Sequence, residues 1–174
     1  MRIEPEDQIA RAQYAHVLSF QQRRERAYAE YRTVRKRNPH FTDWRFTSIC
    51  LAAGRPEEAI KEGEMLRRAD PFAPRISLHF LSMANYVLGR YDRAAAGYAE
   101  IVQVSRQFPI PRRFLAASLA QLGQMDEARL HADHARATQP NWTFSKDFVP
   151  SVPHLLPEHV AHIREGMLRA GLPE

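Results

Sequence analysis

The chain has 174 residues, 44% of them hydrophobic, which is enough to bury one sizeable core, so one domain spanning 1–174 is expected. It carries 25 Lys and Arg against 20 Asp and Glu, and the formal net charge of +5 allows anionic partners without pointing to them. No apolar run approaches the roughly 20 residues of a spanning helix, which excludes an integral membrane protein. A single cysteine, Cys50, and no apolar leader predict a cytoplasmic protein.

A repeated turn signature divides most of the chain into similar units. The stretch Gly54–Ala59 returns as Gly89–Ala94 and again as Gly123–Ala128, and a degenerate copy lies upstream at Gln22–Ala27. The copies stand about 34 residues apart, a period typical of helical-repeat proteins. Between them apolar residues recur at the three- and four-residue spacing of a helix. Each unit is therefore predicted to be a pair of helices joined at this turn.

The prolines that close the units set the ends of the second helices. Pro39, Pro71 and Pro140 end three of the four units, because a proline cannot continue a helix and disfavours helical geometry in the residue before it. The helices are predicted, in chain order, at 6–19, 23–37, 41–53, 56–69, 74–88, 91–105, 111–122 and 125–138. They make four repeats, at about 6–39, 40–72, 73–108 and 109–140.

This unit, with Gly at the turn, Ala in the second helix and Pro at the end, resembles the tetratricopeptide repeat (TPR) family. The alanines that carry the resemblance are Ala59, Ala94 and Ala128. The resemblance implies an all-α fold, a right-handed superhelical stack of about four TPR-like helix pairs. In such a stack the first helices of the pairs form a continuous concave surface.

The resemblance also indicates which side chains would line that concave surface. Aromatic residues, Met and Arg are the types enriched at binding hot spots. The predicted groove residues are Phe41, Trp44, Ser48, His79, Met83, Tyr86 and Arg113. Some family members hold a carboxylate with Lys and Asn at positions occupied here by Trp44, Ser48 and Phe80, so that carboxylate clamp is absent. We therefore expect a non-catalytic protein–protein interaction module that binds an apolar helix or an extended peptide.

The carboxy-terminal part breaks the period. Residues 141–156 are rich in proline and aromatic side chains, and we expect them to pack on the repeats. After Pro157 the spacing of Val160, Ile163, Met167 and Ala170 predicts one apolar stripe on a helix. A solenoid needs its last apolar face covered, so residues 157–174 are predicted to be a capping helix over the last pair, including Leu130.

A second resemblance is more specific. The stretches Asn38–Trp44, Ala120–Gly123 and Arg164–Glu174 resemble the carboxy-terminal repeat region of bacterial class III adenylate/guanylate cyclase-like proteins. That family's catalytic domain, with its metal-binding aspartates, precedes the repeats and has no counterpart here. The resemblance implies an alternative function, that of a regulatory or dimerisation region of a nucleotide cyclase-like protein lacking its catalytic domain.

The positive charge is concentrated in the first repeat. Between Arg23 and Arg37 basic residues alternate with Tyr28 and Tyr31, a pattern that could follow a phosphate backbone. A basic nucleic-acid-binding repeat module is therefore a further alternative. The favoured interpretation is a solvated outer helix face whose tyrosines point into the core. We thus expect a protein or peptide partner, with self-association left open, and neither nucleic acid nor a membrane.

Few residues could carry out catalysis or bind a metal. His131 with His134, and His159 with His162, could each offer two imidazoles to a metal, but no third ligand stands at a recognisable spacing. Cys50 lies on an apolar stripe, where a buried, inert thiol is expected. The chain has no phosphate loop, nucleophile elbow or zinc-protease motif. The sequence therefore predicts no enzyme activity, no metal and no cofactor.

Overall fold

The computed structural model of the chain describes residues 7–105 and 108–174. Over these ranges it is helical, with no strand. Two predictions fall outside these ranges: the start of the first helix at residue 6 and the absence of an apolar leader at the amino terminus. In the same ranges none of the helices combines the length and apolar character that crossing a bilayer requires.

Eight helices follow one another as four pairs, as the sequence predicts. They are α1 (Gln8–Phe20), α2 (Arg24–Arg37), α3 (Trp44–Ala52), α4 (Pro56–Ala69), α5 (Arg75–Val87), α6 (Tyr91–Val104), α7 (Pro109–Gln121) and α8 (Met125–Thr138). Most ends lie within two residues of those predicted. Helix α3 starts three residues late, because the Asp43 carboxylate accepts a hydrogen bond from the Arg45 backbone N–H and caps the helix there.

The turn inside each pair has the same backbone geometry. Gly54, Gly89 and Gly123 have φ of 71°, 72° and 79°, and Gln22 at the degenerate copy has φ of 60°. This left-handed residue lets the next N–H groups bond back to the last carbonyls of the first helix, as the Arg55 N–H does to the Cys50 carbonyl at 2.9 Å. The four turn positions predicted from the sequence are confirmed.

The carboxy-terminal segment continues with a π-helical turn at Phe144–Phe148, a short helix α9 (Val149–Ser151) and a longer helix α10 (Pro157–Arg169). Phe144 and Phe148 are buried. On α10 the predicted stripe is largely buried, since Ile163, Met167 and Ala170 are each at most 1% exposed.

The chain divides into two compact units. Unit 1 holds the described residues up to Phe80 together with Pro153–Leu156. Its core includes Leu18, Val34, Phe46, Ile49 and Leu51. Unit 2 holds the described residues of 81–152 and the segment Pro157–Glu174, with a core that includes Tyr86, Tyr98, Phe114, Phe144 and Ile163.

Helix α10 does not cover the face that the sequence assigns to it. It packs against α7, the first helix of the last pair, rather than against the outer side of α8. Leu130 on α8 consequently remains 67% exposed, so the prediction that α10 buries it is wrong. The alanines of α8 at 128, 132 and 135 are nevertheless fully buried.

Candidate functional site

In unit 1 the first helices α1, α3 and α5 bring four rings together. The Trp44 indole stacks on the Phe80 ring with centroids 6.0 Å apart and an angle of 8° between the planes. The His16 ring meets Trp44 edge-on at 5.1 Å and Phe20 at 5.0 Å. We call His16, Phe20, Trp44 and Phe80 the aromatic face. Trp44 and His16 are half-buried, and Phe20 is 40% exposed, so the face keeps some access to solvent.

A short segment from the carboxy-terminal part of the chain lies on this aromatic face. We call Pro153–Leu156 the strap. The His154 ring packs on Phe20 at 4.3 Å and reaches Phe80 at 6.3 Å. The Arg24 guanidinium donates to the Leu155 carbonyl at 3.2 Å. A side chain on Gly54 would meet the Leu156 Cδ1 at 2.8 Å, so the strap also fits closely against the turn of the second pair.

The imidazoles at the aromatic face are held neutral. His154 is 2% exposed, and neither ring nitrogen has a hydrogen-bond partner within the described part of the chain. Burial, and then the charges of His16, His79 and Arg24, lower the pKa of His154 to about 4. Burial likewise lowers the pKa of His79 to about 4 and lowers that of His16. The strap therefore docks as an uncharged segment on an apolar surface.

In unit 2 the helix α10 lies on the first helices α5 and α7 and also reaches Tyr91 at the start of α6. An alanine Cβ at Gly166 would overlap the Tyr86 hydroxyl and would lie 3.1 Å from its Cζ and 3.3 Å from the Ala117 Cβ. The Tyr91 hydroxyl and the His162 Nε2 are hydrogen-bonded at 2.7 Å. The Arg169 guanidinium donates to the Gln121 amide oxygen at 3.5 Å. We call Tyr86, Tyr91, Ala117 and Gln121 the α10 face.

The predicted groove residues of unit 1 differ in their accessibility. Trp44 belongs to the aromatic face, and His79 lies next to it, with its ring 5.4 Å from that of Phe80. Phe41 is half-buried and packs edge-on against Phe46 at 5.8 Å. Ser48 is fully buried, and its hydroxyl has no hydrogen-bond partner in the described residues. Of these four residues, Trp44 is the one that belongs to the aromatic face, and it is half-buried.

The predicted groove residues of unit 2 are buried. Met83 and Tyr86 are at most 1% exposed, and Tyr86 is covered by α10. Arg113 is 3% exposed, donates to the Gln139 amide oxygen at 2.6 Å and lies 3.9 Å from the centre of the Trp142 ring. Burial lowers the pKa of Arg113 to about 10. Tyr86 and Arg113 are contacted by other segments of the chain, so a partner could touch them only where those segments move.

Sequence reasoning missed the residues that cover the two faces. His154 carries no local motif, and its neighbours Phe20 and Phe80 are far from it in the sequence. His16 and Phe20 lie in the repeat with the degenerate turn. Gly166 did carry a signal, because a glycine inside an apolar helical stripe indicates a close approach of another chain segment.

The other residues that the sequence offers for binding nucleic acid, for thiol chemistry or for holding a metal are engaged within the fold, buried or without further ligands beside them. The hydroxyls of Tyr28 and Tyr31 donate to Glu58 and Glu62, so the two tyrosines of the basic repeat are buried, as the favoured interpretation predicts. Burial raises the pKa of the Cys50 thiol to about 12. No group of three or more His, Cys, Asp or Glu side chains placed to hold a metal ion occurs across residues 7–105 and 108–174.

Comparison with known proteins bears on the fold. No protein-family model matches the sequence, and no curated protein does either. The crystal structure of PilW, described as a widely conserved type IV pilus biogenesis factor, matches with a TM-score of 0.71 and 17% identity over 97% of this chain and 75% of that one. The crystal structure of MamA matches with a TM-score of 0.61 and 15% identity over 82% of this chain and 86% of that one.

Both of these structural neighbours are TPR-repeat proteins. At these identities the likeness concerns the fold. It confirms the all-α, TPR-like helical-repeat fold that the turn signature and the prolines predict.

Proposed function

We propose that the chain is a non-catalytic protein-interaction module whose first helices bind a peptide or a helix from a partner protein. One observation carries the proposal. In each unit a surface built from first helices holds a segment of polypeptide, the strap on the aromatic face in unit 1 and α10 on the α10 face in unit 2. Surfaces with this shape and chemistry suit a peptide ligand, and the TPR-like fold supports the same role.

The chemistry of the aromatic face narrows the expected ligand in unit 1. The stacked Trp44 and Phe80 rings offer flat apolar area, and the Arg45 guanidinium lies 5.0 Å from the centre of the Trp44 ring. Large aromatic side chains beside arginine are typical of binding hot spots. We expect an apolar or aromatic anchor residue of the ligand to contact Trp44.

Quantitative affinity capture tests this function. The intact chain is compared with Trp44→Ala and with Phe72→Ala, which removes an aromatic ring that is 94% exposed. Trp44→Ala should reduce recovery of a specific partner at least about tenfold, whereas Phe72→Ala should recover it as the wild type does. Circular dichroism must show unchanged helical content in both variants. Equal recovery by all three chains would contradict the proposal.

Two alternatives from the sequence stay predictions. The resemblance at Arg164–Glu174 to cyclase-associated repeat regions would be supported by a cyclase catalytic domain encoded together with this chain. The basic-repeat alternative would be supported by nucleic-acid binding that weakens steeply with salt. Against it, the Arg35 guanidinium is engaged by the Glu62 carboxylate and by the Phe41 carbonyl, and is therefore not free to follow phosphates.

A further inference from the structure

Helix α10 contacts unit 2 through one narrow stripe. Ile163, Gly166, Met167 and Ala170 are all buried, and their spacing of three, four and seven residues places them on one side of the helix. Arg164, Glu165 and Arg169 are exposed. Helix α10 therefore has the pattern of an amphipathic helix lying in a groove, a known mode of protein recognition.

The middle of this stripe depends on a missing side chain. Gly166 lies inside α10 and has no positive φ, so its backbone does not require glycine. Glycine is among the poorest helix formers, so it weakens the helix in which it stands. What requires it is the Tyr86 ring, because a Cβ at this position would overlap the tyrosine hydroxyl and crowd Cζ at 3.1 Å. The α10 face thus selects a helix with glycine at one position.

Polar contacts fix the register of the helix on this face. One turn before Gly166, the His162 Nε2 is bonded to the Tyr91 hydroxyl at 2.7 Å. One turn after it, Arg169 donates to Gln121 at 3.5 Å. The α10 face therefore recognises a helix by a histidine, a central glycine with large apolar neighbours, and a basic residue.

The attachment of α10 to the rest of the chain is also informative. The four residues before it form the strap, which belongs to unit 1, whereas α10 belongs to unit 2. At its other end, unit 2 holds the chain through a hydrogen bond from the Phe144 N–H to the Pro173 carbonyl at 3.0 Å, and Glu174 bonds to Ser145. Helix α10 is thus held in unit 2 by its own contacts and by the residues that follow it, whereas the residues just before it belong to unit 1.

We propose that the α10 face is a receptor for a partner helix, and that α10 is the internal occupant which such a helix replaces. The partner is an amphipathic helix carrying α10's own pattern: a large apolar residue three before and one after a glycine that faces Tyr86. This proposal rests on the proposed function and names the partner chemistry for unit 2. A tethered helix acts at an effective concentration on the order of millimolar, so a partner competes poorly until α10 is loosened.

The test uses the intact chain and a fluorescently labelled synthetic peptide of residues 157–174, with binding measured by anisotropy. In the chain, Gly166→Ala should push α10 off Tyr86 while leaving the α10 face unchanged. This variant should bind the natural peptide at least about tenfold more tightly than the wild-type chain does. A peptide with alanine at position 166 should bind neither chain. Glu165→Ala, an exposed change on the same helix, should bind as the wild type does.

A rescue variant makes the test specific to the contact. In the double variant Tyr86→Phe, Gly166→Ala, the hydroxyl that the new Cβ would overlap is gone. The contacts that remain, 3.1 Å to Cζ and 3.3 Å to the Ala117 Cβ, require shifts of only a few tenths of an ångström. The internal helix should dock again, and affinity for the added peptide should fall back toward the wild-type value. A merely loosened or partly unfolded chain would not be restored by removing one oxygen atom.

Three results would overturn the proposal. The first is equal affinity of the Gly166→Ala chain and the wild-type chain for the natural peptide. The second is equal binding of the glycine and alanine peptides to the Gly166→Ala chain. The third is loss of the whole chain's helical signal in Gly166→Ala and also in Met167→Ala, which removes apolar contacts without adding a clash. That result would make α10 an indispensable part of the core. None of these results involves Trp44, so the proposed function of unit 1 is judged separately.

Discussion

At the scale of single residues, the most unusual group is a neutral histidine sealed against phenylalanine rings. His154 is 2% exposed and packs on Phe20 at 4.3 Å. Burial first, and then His16, His79 and Arg24, lower its pKa to about 4. A buried imidazole without hydrogen bonds costs free energy when it is charged, so it must remain neutral for the strap to stay docked.

The pH dependence of stability follows from this shift. In the unfolded chain His154 takes up a proton near its ordinary pKa of about 6.5, whereas the folded chain resists protonation until about pH 4. The unfolded state therefore binds more protons between these values, and the free energy of unfolding should fall as the pH drops from about 6.5 to 4. The lowered pKa of His154 corresponds to a loss of at most about 3 kcal/mol in the free energy of unfolding over this pH range. The lowered pKa values of His16 and His79 act in the same direction.

Urea unfolding at pH 7.5, 6, 5 and 4 measures the effect. The variant His154→Phe keeps a ring against Phe20 and removes the titrating group, so its stability should fall less steeply with acid. His134→Phe on α8, where the side chain is exposed, is the matched control and should keep the wild-type profile. A His154→Phe chain as acid-sensitive as the wild type would show that the docked strap is not a source of the pH dependence.

At the scale of helices, α2 and α4 are joined by a buried ion pair. The Glu62 Oε1 accepts hydrogen bonds from the Tyr31 hydroxyl at 2.8 Å and from the Arg35 Nε at 2.7 Å. A second bond joins Arg35 to the other Glu62 oxygen, and the carboxylate side chain is 7% exposed. This carboxylate therefore ties the second helices of the first two repeats together.

Removing that carboxylate should destabilise the chain strongly. Glu62→Ala leaves the part-buried Arg35 guanidinium and the buried Tyr31 hydroxyl without their carboxylate partner, and we expect a loss of about 3 kcal/mol in the free energy of unfolding. Glu64→Ala, on the same helix, breaks only an exposed pair with Arg68 at 3.9 Å and should cost less than about 0.5 kcal/mol. Urea unfolding of both variants checks this. Similar losses for the two would mean that the buried pair contributes no more than a surface pair.

The helices show which parts of the fold are readable from the sequence. Turn positions were predictable because a left-handed residue and a following helix start are local requirements, met by Gly54, Gly89 and Gly123. The stripe on α10 was predictable because its period is local too. The face against which α10 packs was not predictable. The spacing of apolar residues shows which side of a helix is buried, but not which other element covers it. The contact of Gly166 with Tyr86 joins residues 80 positions apart.

The candidate site was predictable only in part for the same reason. Residue type and a place on a first helix predict Trp44 as a groove residue, and it lies in the aromatic face. The same two criteria predict Arg113, yet its guanidinium is directed to Gln139 and Trp142. Side-chain direction at the end of a helix depends on partners that come from other elements, and the repeat pattern contains no information about them.

At the scale of the whole molecule, each of the two units presents one proposed binding face. The first helices of unit 1 present an aromatic face on which the strap lies, and those of unit 2 present a face on which α10 lies. A helical-repeat protein contacts its ligands through such surfaces. Under the proposed function, the carboxy-terminal residues act as internal ligands of the repeats, and we expect the partner's segments to resemble them in chemistry.

The most direct measurement is site-specific photo-cross-linking of the intact chain in cells. A photoreactive phenylalanine analogue replaces Trp44 on the aromatic face in one experiment and Glu64, on the exposed side of α4, in another. We predict a discrete cross-linked product with another protein from position 44 and none from position 64. No product from position 44, or the same products from both positions, would contradict the claim that the first-helix face binds a partner.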